Sequence, residues 1–376
     1  MKSTTIIIGG DLVPTESNMD LFTKGDVAEL VGLEMLEMLA SVDYRIFNLE
    51  CPLTDIVKPI PKCGPNLKSP LSSINAIKAL NPQLISLANN HILDQDEQGL
   101  LSTIEQLDKY KIAYVGAGRS LDDARKAYII VNNNSRIGIY SCAEHEFTIA
   151  KKNKAGANPF DPFESLDDIQ ELKSKCDYVI VLYHGGKEYY RYPSPYLQKI
   201  CRKMAKKGAD LIICQHSHSI GCFEEYDQAT IVYGQGNFLF DYSNDPHWET
   251  SLLLRVNIRD NLEVEYIPII KLGKRIRLAS DELSNDILTA FKERSAAIQK
   301  DGFIEQQYRQ FALSNIASYL RIFAGYSKWT SRIDRHIFGG LLLKRQYNRQ
   351  QLLAMKNFIE CEAHKELILS GLEEQL

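Results

Sequence analysis

Five short apolar runs in this chain each end on an acid, an amide or an imidazole, and that pattern constrains the fold more than any other feature. Thr5-Ile6-Ile7-Ile8-Gly9-Gly10 leads into Asp11, and Tyr44-Arg45-Ile46-Phe47 leads into Asn48-Leu49-Glu50. Leu84-Ile85-Ser86-Leu87-Ala88 leads into Asn89-Asn90-His91, with Asp94 just beyond. Tyr178-Val179-Ile180-Val181-Leu182-Tyr183 leads into His184-Gly185-Gly186-Lys187-Glu188, and Leu211-Ile212-Ile213-Cys214 leads into Gln215-His216-Ser217-His218. Short runs rich in Ile, Val and Leu read as strands of a covered sheet. In an α/β sheet the strand carboxyl ends share one edge, where ligands gather.

A lone His-x-His is ordinarily a polar loop. Five strand ends with donor side chains make a constellation. Carboxylate, imidazole and amide oxygen suit Mn, Fe, Zn or Mg better than a thiolate site does. The set is large enough for two metals, the arrangement that clamps attacking and leaving oxygens in phosphoryl transfer.

The order Gly10-Asp11, Asn48-Leu49-Glu50, Ala88-Asn89-Asn90-His91-x-x-Asp94, His184-x-Gly186-x-Glu188, Gly208-Ala209-Asp210 and His216-x-His218 resembles the bacterial CapA family. That family is associated with capsule and poly-γ-glutamate synthesis and belongs to the calcineurin-like metallophosphoesterase superfamily. Tyr114-Val115-Gly116-Ala117-Gly118 and the closing Ile231-Val232-Tyr233-Gly234-Gln235-Gly236-Asn237-Phe238-Leu239-Phe240-Asp241 match it too, so the resemblance runs over about residues 4 to 270.

The resemblance implies roles. Asp11 binds a first metal and Glu50 takes the bridging position. Asn90, His184 and His216 hold the second metal, and His218 completes the first. His91 stands where the superfamily keeps the acid that protonates the leaving oxygen, with Asp94 to orient it. Glu188, Asn237 and Gln215 are candidate substrate contacts. The implied fold is a two-sheet β-sandwich flanked by helices. Three departures stand out. Val13 replaces the His of the usual Asp-x-His, which leaves the first site poorer in protein ligands. Gly185 replaces a Trp after His184 and removes an aromatic wall. Gln215 replaces a Gly before His216. His145 also follows an apolar run and is read as substrate contact or scaffold, whereas His247, His336 and His364 are read as surface residues.

At 376 residues the chain exceeds a usual single core. We expect a metallophosphoesterase-like domain over residues 1–275 and a helical appendage over 280–376. The net charge of −4 gives no support for nucleic-acid binding. The eight cysteines contain no Cys-x-x-Cys pair and give no disulfide framework. No charged and long apolar stretch precedes the first strand, so no signal peptide or transmembrane segment is expected, and the expected location is cytoplasmic.

Ala28–Leu39, Gln98–Leu107 and Tyr196–Met204 carry apolar residues at helical spacing. Ser165-Leu166-Asp167-Asp168 reads as a capping box opening another helix. Ser251–Val256 and Leu262–Pro268 read as a closing hairpin turning at Asp260-Asn261. Further on, Ile304, Tyr308, Phe311, Ile316, Leu320 and Phe323 fall on one helical face. A basic segment follows, with Arg321, Lys328, Arg332, Arg335, Lys344, Arg345 and Arg349 against Asp334. It reads either as an interfacial helix or anionic-substrate lid, or as a solvated appendage packing on the core or on a second subunit; the second reading is the plainer one.

The functional expectation is a metal-dependent phosphoesterase acting on a small or oligomeric anionic substrate in capsule or surface-polysaccharide synthesis. The alternatives are an amide-bond hydrolase or ligase component of poly-γ-glutamate metabolism and a non-catalytic metal-binding subunit of a biosynthetic complex.

Overall fold

The computed structural model describes residues 3–132 and 135–375. Its larger sheet has the strand order Arg275–Leu278, Leu262–Leu272, Thr250–Ile258, Thr4–Val13, Tyr44–Leu49, Leu84–Ser86 and Ala113–Val115, and Leu239–Phe240 pairs with the end of Thr4–Val13. The second sheet runs Phe223–Tyr226, Ala229–Tyr233, Leu211–Gln215, Tyr178–His184, Ser135–Ala143 and Tyr128–Asn132. The strands that carry the apolar runs pair in parallel in both sheets, which brings their carboxyl ends to one edge.

Side-chain alternation builds the layers. Ile6 and Ile8 point between the sheets, where they meet Ile139, Ile180, Leu182 and Ile213. Ile7, Phe47 and Ile85 point the other way, onto Leu30, Met35, Ile77 and Ile104 of the outer helices. On the far face of the second sheet Val179, Val181 and Ile212 pack on Ile169, Leu197, Cys201 and Met204. The result is helix–sheet–sheet–helix, with each fully buried aliphatic side chain worth about 1.5–3 kcal/mol over exposure.

Several expectations are refined here. The closing hairpin forms between Thr250–Ile258 and Leu262–Leu272, with Ile258 opposite Leu262. The run 28–39 is two helices, Val27–Val31 and Leu33–Ala40, because Gly32 breaks it at φ 84°. The capping box at Ser165 does not form. The helix starts at Glu164, and Asp161 accepts the Phe163 N–H at 2.8 Å while the Ser165 hydroxyl accepts the Asp161 N–H at 3.0 Å. All eight cysteines are free, six of them buried.

The chain divides into two compact units, Met1–Glu305 and Gln306–Leu376, later than the expected boundary. The helix Asp281–Ala297 belongs to the first unit, where Phe291 is fully buried in the inter-sheet cluster. The second unit is helical, with Lys328–His336, Leu341–Gln346, Arg349–Glu360 and Glu362–Glu373 following the end of Phe303–Phe323. Within it Asp334 is fully buried, accepts the Leu342 N–H at 3.0 Å and pairs with Arg321. The single apolar face expected for 304–323 is only partly covered, since Leu320 is buried while Ile316 and Phe323 are exposed. Among the described residues no helix is long and apolar enough to cross a membrane.

Candidate metal centre

The two sheets deliver the donor residues in register. Asp11 stands opposite Asn48 across the Thr4–Val13/Tyr44–Leu49 pair, after a register shift at Gly9-Gly10. His184 stands between Ala143 and Gln215 in the second sheet. The shift at Gly10 lets the last motif close in, because a Cβ there would lie 2.0 Å from the Gly236 carbonyl oxygen. The Phe238 N–H then donates to the Asp11 carbonyl at 2.9 Å, seating Asn237 beside the site.

Six buried side chains converge there: Asp11, Glu50, Asn90, His184, His216 and His218. His184 Nε2 lies 2.9 Å from Asn90 Oδ1, 3.1 Å from His216 Nδ1 and 3.3 Å from Glu50 Oε1. A second group gathers around Asp11, whose Oδ2 lies 3.5 Å from His218 Nδ1. At that length the contact is an ion pair rather than a hydrogen bond, and Asp11 Oδ2 has no donor. Glu50 is fully buried and neither of its oxygens has a donor. Ligand atoms of Asp11, Glu50 and His184 lie within 4.8 Å of one another, and so do those of Glu50, His216 and His218. Buried acceptors left facing one another cost free energy unless a cation sits among them. The donor set therefore fits divalent metal.

Surrounding amides fix the geometry. Asn48 donates to Asp11 Oδ1 at 2.7 Å, and Asn89 donates to Asn48 Oδ1 at 3.1 Å. Asn90 donates to Glu146 at 3.1 Å, which turns its oxygen toward His184. Asn237 Oδ1 accepts from His218 Nδ1 at 2.8 Å, so Nε2 is the nitrogen left for a metal. His216 and His218 hold φ of 77° and 52°, a backbone state that non-glycine residues adopt at strained functional turns.

The electrostatics tie the two groups together. Burial disfavours charge on His218, but the Asp11 contact and the Glu50 charge outweigh it and push its pKa up to about 9. Burial is likewise outweighed at His184, chiefly by Glu50, and its pKa rises. His216 goes well below the usual imidazole value through burial and the neighbouring His184 and His218. Asp11 stays below the ordinary carboxylate range despite its burial, held down by His218 and His184.

The remaining sequence candidates are placed as follows. His91 Nδ1 lies 2.6 Å from Asp94 Oδ2. Gln215 is buried and donates to the Gly9 carbonyl and to Gln235, each at 3.3 Å. Glu188 is half-buried in the loop after His184 and belongs to neither donor cluster. His145 is exposed. Gly185 offers no aromatic wall beside His184, but aromatic rings gather around His218. Trp248 packs on His218 at 4.5 Å between ring centroids, Phe240 packs at 5.6 Å, and Tyr189 stacks on Trp248 at 6.5 Å. A side chain at Gly185 would collide with Glu144, whose Cγ lies 2.7 Å from the position of a Cβ. A cleft of about 650 Å³ opens beside Val13, between Leu67, Lys68, Phe240 and Tyr242. Sequence reasoning missed Trp248 and Glu146, which come from segments without periodicity; Asn48 and Asn89 lay in motifs already singled out.

The family described as "Bacterial capsule synthesis protein PGA_cap" matches residues 5–242, which include every donor above. The chain belongs to this family. It is 35% identical over 205 residues to the "PGA biosynthesis protein CapA" of Bacillus subtilis (strain 168), covering 53% of each chain. It is 31% identical over 235 residues to the "Capsule biosynthesis protein CapA" of Bacillus anthracis, covering 59% of this chain and 56% of that one. The chain thus spans a little over half the length of these curated PGA_cap relatives. Among solved structures, a phosphatase of Mycoplasma pneumoniae aligns at 15% identity with a TM-score of 0.45, over 73% of this chain and 95% of that one. A putative 5'-nucleotidase of Staphylococcus aureus aligns at 15% identity with a TM-score of 0.44, over 78% of this chain and 58% of that one.

Proposed function

We propose that this chain hydrolyses phosphate esters with the help of two divalent cations, and that its substrate is an anionic phosphorylated compound of capsule or surface-polymer synthesis. The observation that carries the reading is Glu50, a fully buried carboxylate with no donor that belongs to both clusters of ligand atoms. Asp11, Glu50 and His218 would hold one cation, and Glu50, Asn90, His184 and His216 the other; this assignment divides both clusters and follows the His184–His216 and Asp11–His218 contacts instead. The donor chemistry admits Mn, Fe, Zn or Mg. Bound there, divalent cations supply positive charge to phosphoryl oxygens and make a nearby water more acidic.

The protein's own groups do the rest. Asn48 and Asn237 hold Asp11 and His218 in one orientation. Trp248 covers His218 and keeps bulk water from that side. Asp94 accepts from His91 Nδ1, so the proton that His91 gives to the leaving oxygen is the one on Nε2. The names of the relatives supply the setting of capsule synthesis.

Purified protein assayed on an alkyl phosphate, whose leaving oxygen needs a proton, beside its His91→Ala variant, tests the reading. Wild type hydrolyses the ester in a metal-dependent way, and the variant loses about 100-fold or more in kcat while keeping its metals. Metal-loaded wild type that is inert on phosphate esters but cleaves γ-glutamyl peptides overturns the reading.

A further inference from the structure

The loop between Asp55 and Lys68 sends one cation inward. The Lys62 side chain is 2% exposed, and its ammonium pairs with Asp94 Oδ1, itself fully buried. The other Asp94 oxygen takes His91 Nδ1 at 2.6 Å and the Leu67 N–H at 2.5 Å. Lys62 Nζ also stands 3.1 Å from His91 Nδ1. An ammonium only donates and a carboxylate only accepts. The short contact therefore places the Nδ1 proton toward Asp94, and Lys62 meets His91 as an adjacent charge rather than as a donor to it.

The loop is tied to the same turn by its backbone. The Lys58 N–H donates to Gln95 Oε1 at 2.8 Å, the Ile60 N–H to the Asp94 carbonyl at 3.3 Å, and Gln95 Nε2 to the Leu67 carbonyl at 3.3 Å. Lys62 thus reaches Asp94 from a held backbone. We propose that Lys62 is a positioning residue for His91: by occupying Asp94 Oδ1 it fixes the carboxylate so that Oδ2 aims the His91 ring at the leaving oxygen. A buried carboxylate deprived of its cation turns toward other donors or draws in water, and the ring it steers loses its aim.

This rests on His91 being the acid of the proposed hydrolysis. In that step the oxygen of water bonds phosphorus and the bond from phosphorus to the leaving oxygen breaks. The His91 proton goes to the leaving oxygen, and the proton that the water loses restores His91. An ester whose leaving group departs without a proton does not need this help.

Lys62→Met and wild type are compared on p-nitrophenyl phosphate and on an alkyl phosphate, with metal content measured on both proteins. The variant keeps its metals, loses about 10- to 100-fold in kcat on the alkyl ester, and stays within about threefold on the nitrophenyl ester. Lys62→Arg recovers part of the alkyl activity. Equal losses on both esters, or no loss on either, overturn the inference while leaving the phosphoesterase reading intact. A wild type inert on both esters overturns that reading and this inference with it.

Discussion

His184 Nε2 lies 3.1 Å from His216 Nδ1, two imidazoles from neighbouring strand ends turned toward one another. Asn90 Oδ1 and Glu50 Oε1 face the same nitrogen, at 2.9 and 3.3 Å. Four donor atoms around one point are stable only with a proton or a metal among them. Chelation is therefore expected to lower the unfolding temperature and divalent metal to restore it. At a free metal concentration a hundredfold above Kd the gain is about 2.7 kcal/mol. Differential scanning calorimetry with and without chelator reads it; an unchanged transition contradicts it.

His216 and His218 are expected to serve different cations. His218 pairs with Asp11 and Asn237, whereas His216 faces His184. Because Val13 offers no ligand, His218→Ala empties the Asp11 site preferentially, and His216→Ala weakens the His184 site. Metal analysis of each variant is expected to give about one ion fewer per chain. Full occupancy in His218→Ala contradicts the assignment.

Metal binding is expected to release protons. His218, with its pKa pushed up to about 9, carries a proton at neutral pH in the metal-free protein, and the raised value at His184 acts in the same sense. His216, held well below the usual imidazole value, is already neutral and contributes none. A metal needs neutral imidazole, so affinity rises with pH until about 9. Calorimetric titration at pH 7 in buffers of different ionisation enthalpy measures the release; no proton release contradicts the charge assignment.

Gly10→Ala is expected to destabilise the fold by about 3 kcal/mol or more. The added Cβ would lie 2.0 Å from the Gly236 carbonyl oxygen, which is backbone and cannot swing aside. The motif carrying Asn237 would have to retreat from Asp11. Chemical denaturation measures the loss; a change within about 0.5 kcal/mol contradicts the close approach.

The sheet and its donor residues were legible because each donor follows its strand by a few positions. Ile6-Ile7-Ile8 carries both core faces, and Asp11 follows directly. Lys62, Glu146 and Trp248 left no such trace, since loops that fold back over a site have no period to read. Ser165 misled because Asp161 took the capping role four residues earlier. The domain boundary moved because a weakly amphipathic helix places Phe291 in the core, a contact that one aromatic in a mostly polar run does not announce. Gly185 carries no aromatic, and the ring that packs on His218 is Trp248, distant in sequence.

The central claim is that Glu50 joins two cation sites that act together on a phosphate ester. The most direct measurement is metal content and aryl-phosphate hydrolysis of Glu50→Ala beside wild type. Wild type is predicted to hold about two divalent ions per chain and to hydrolyse the ester, with both ions weakened and activity lost in the variant. A variant that keeps both ions at wild-type affinity, or hydrolyses the ester at the wild-type rate, contradicts it.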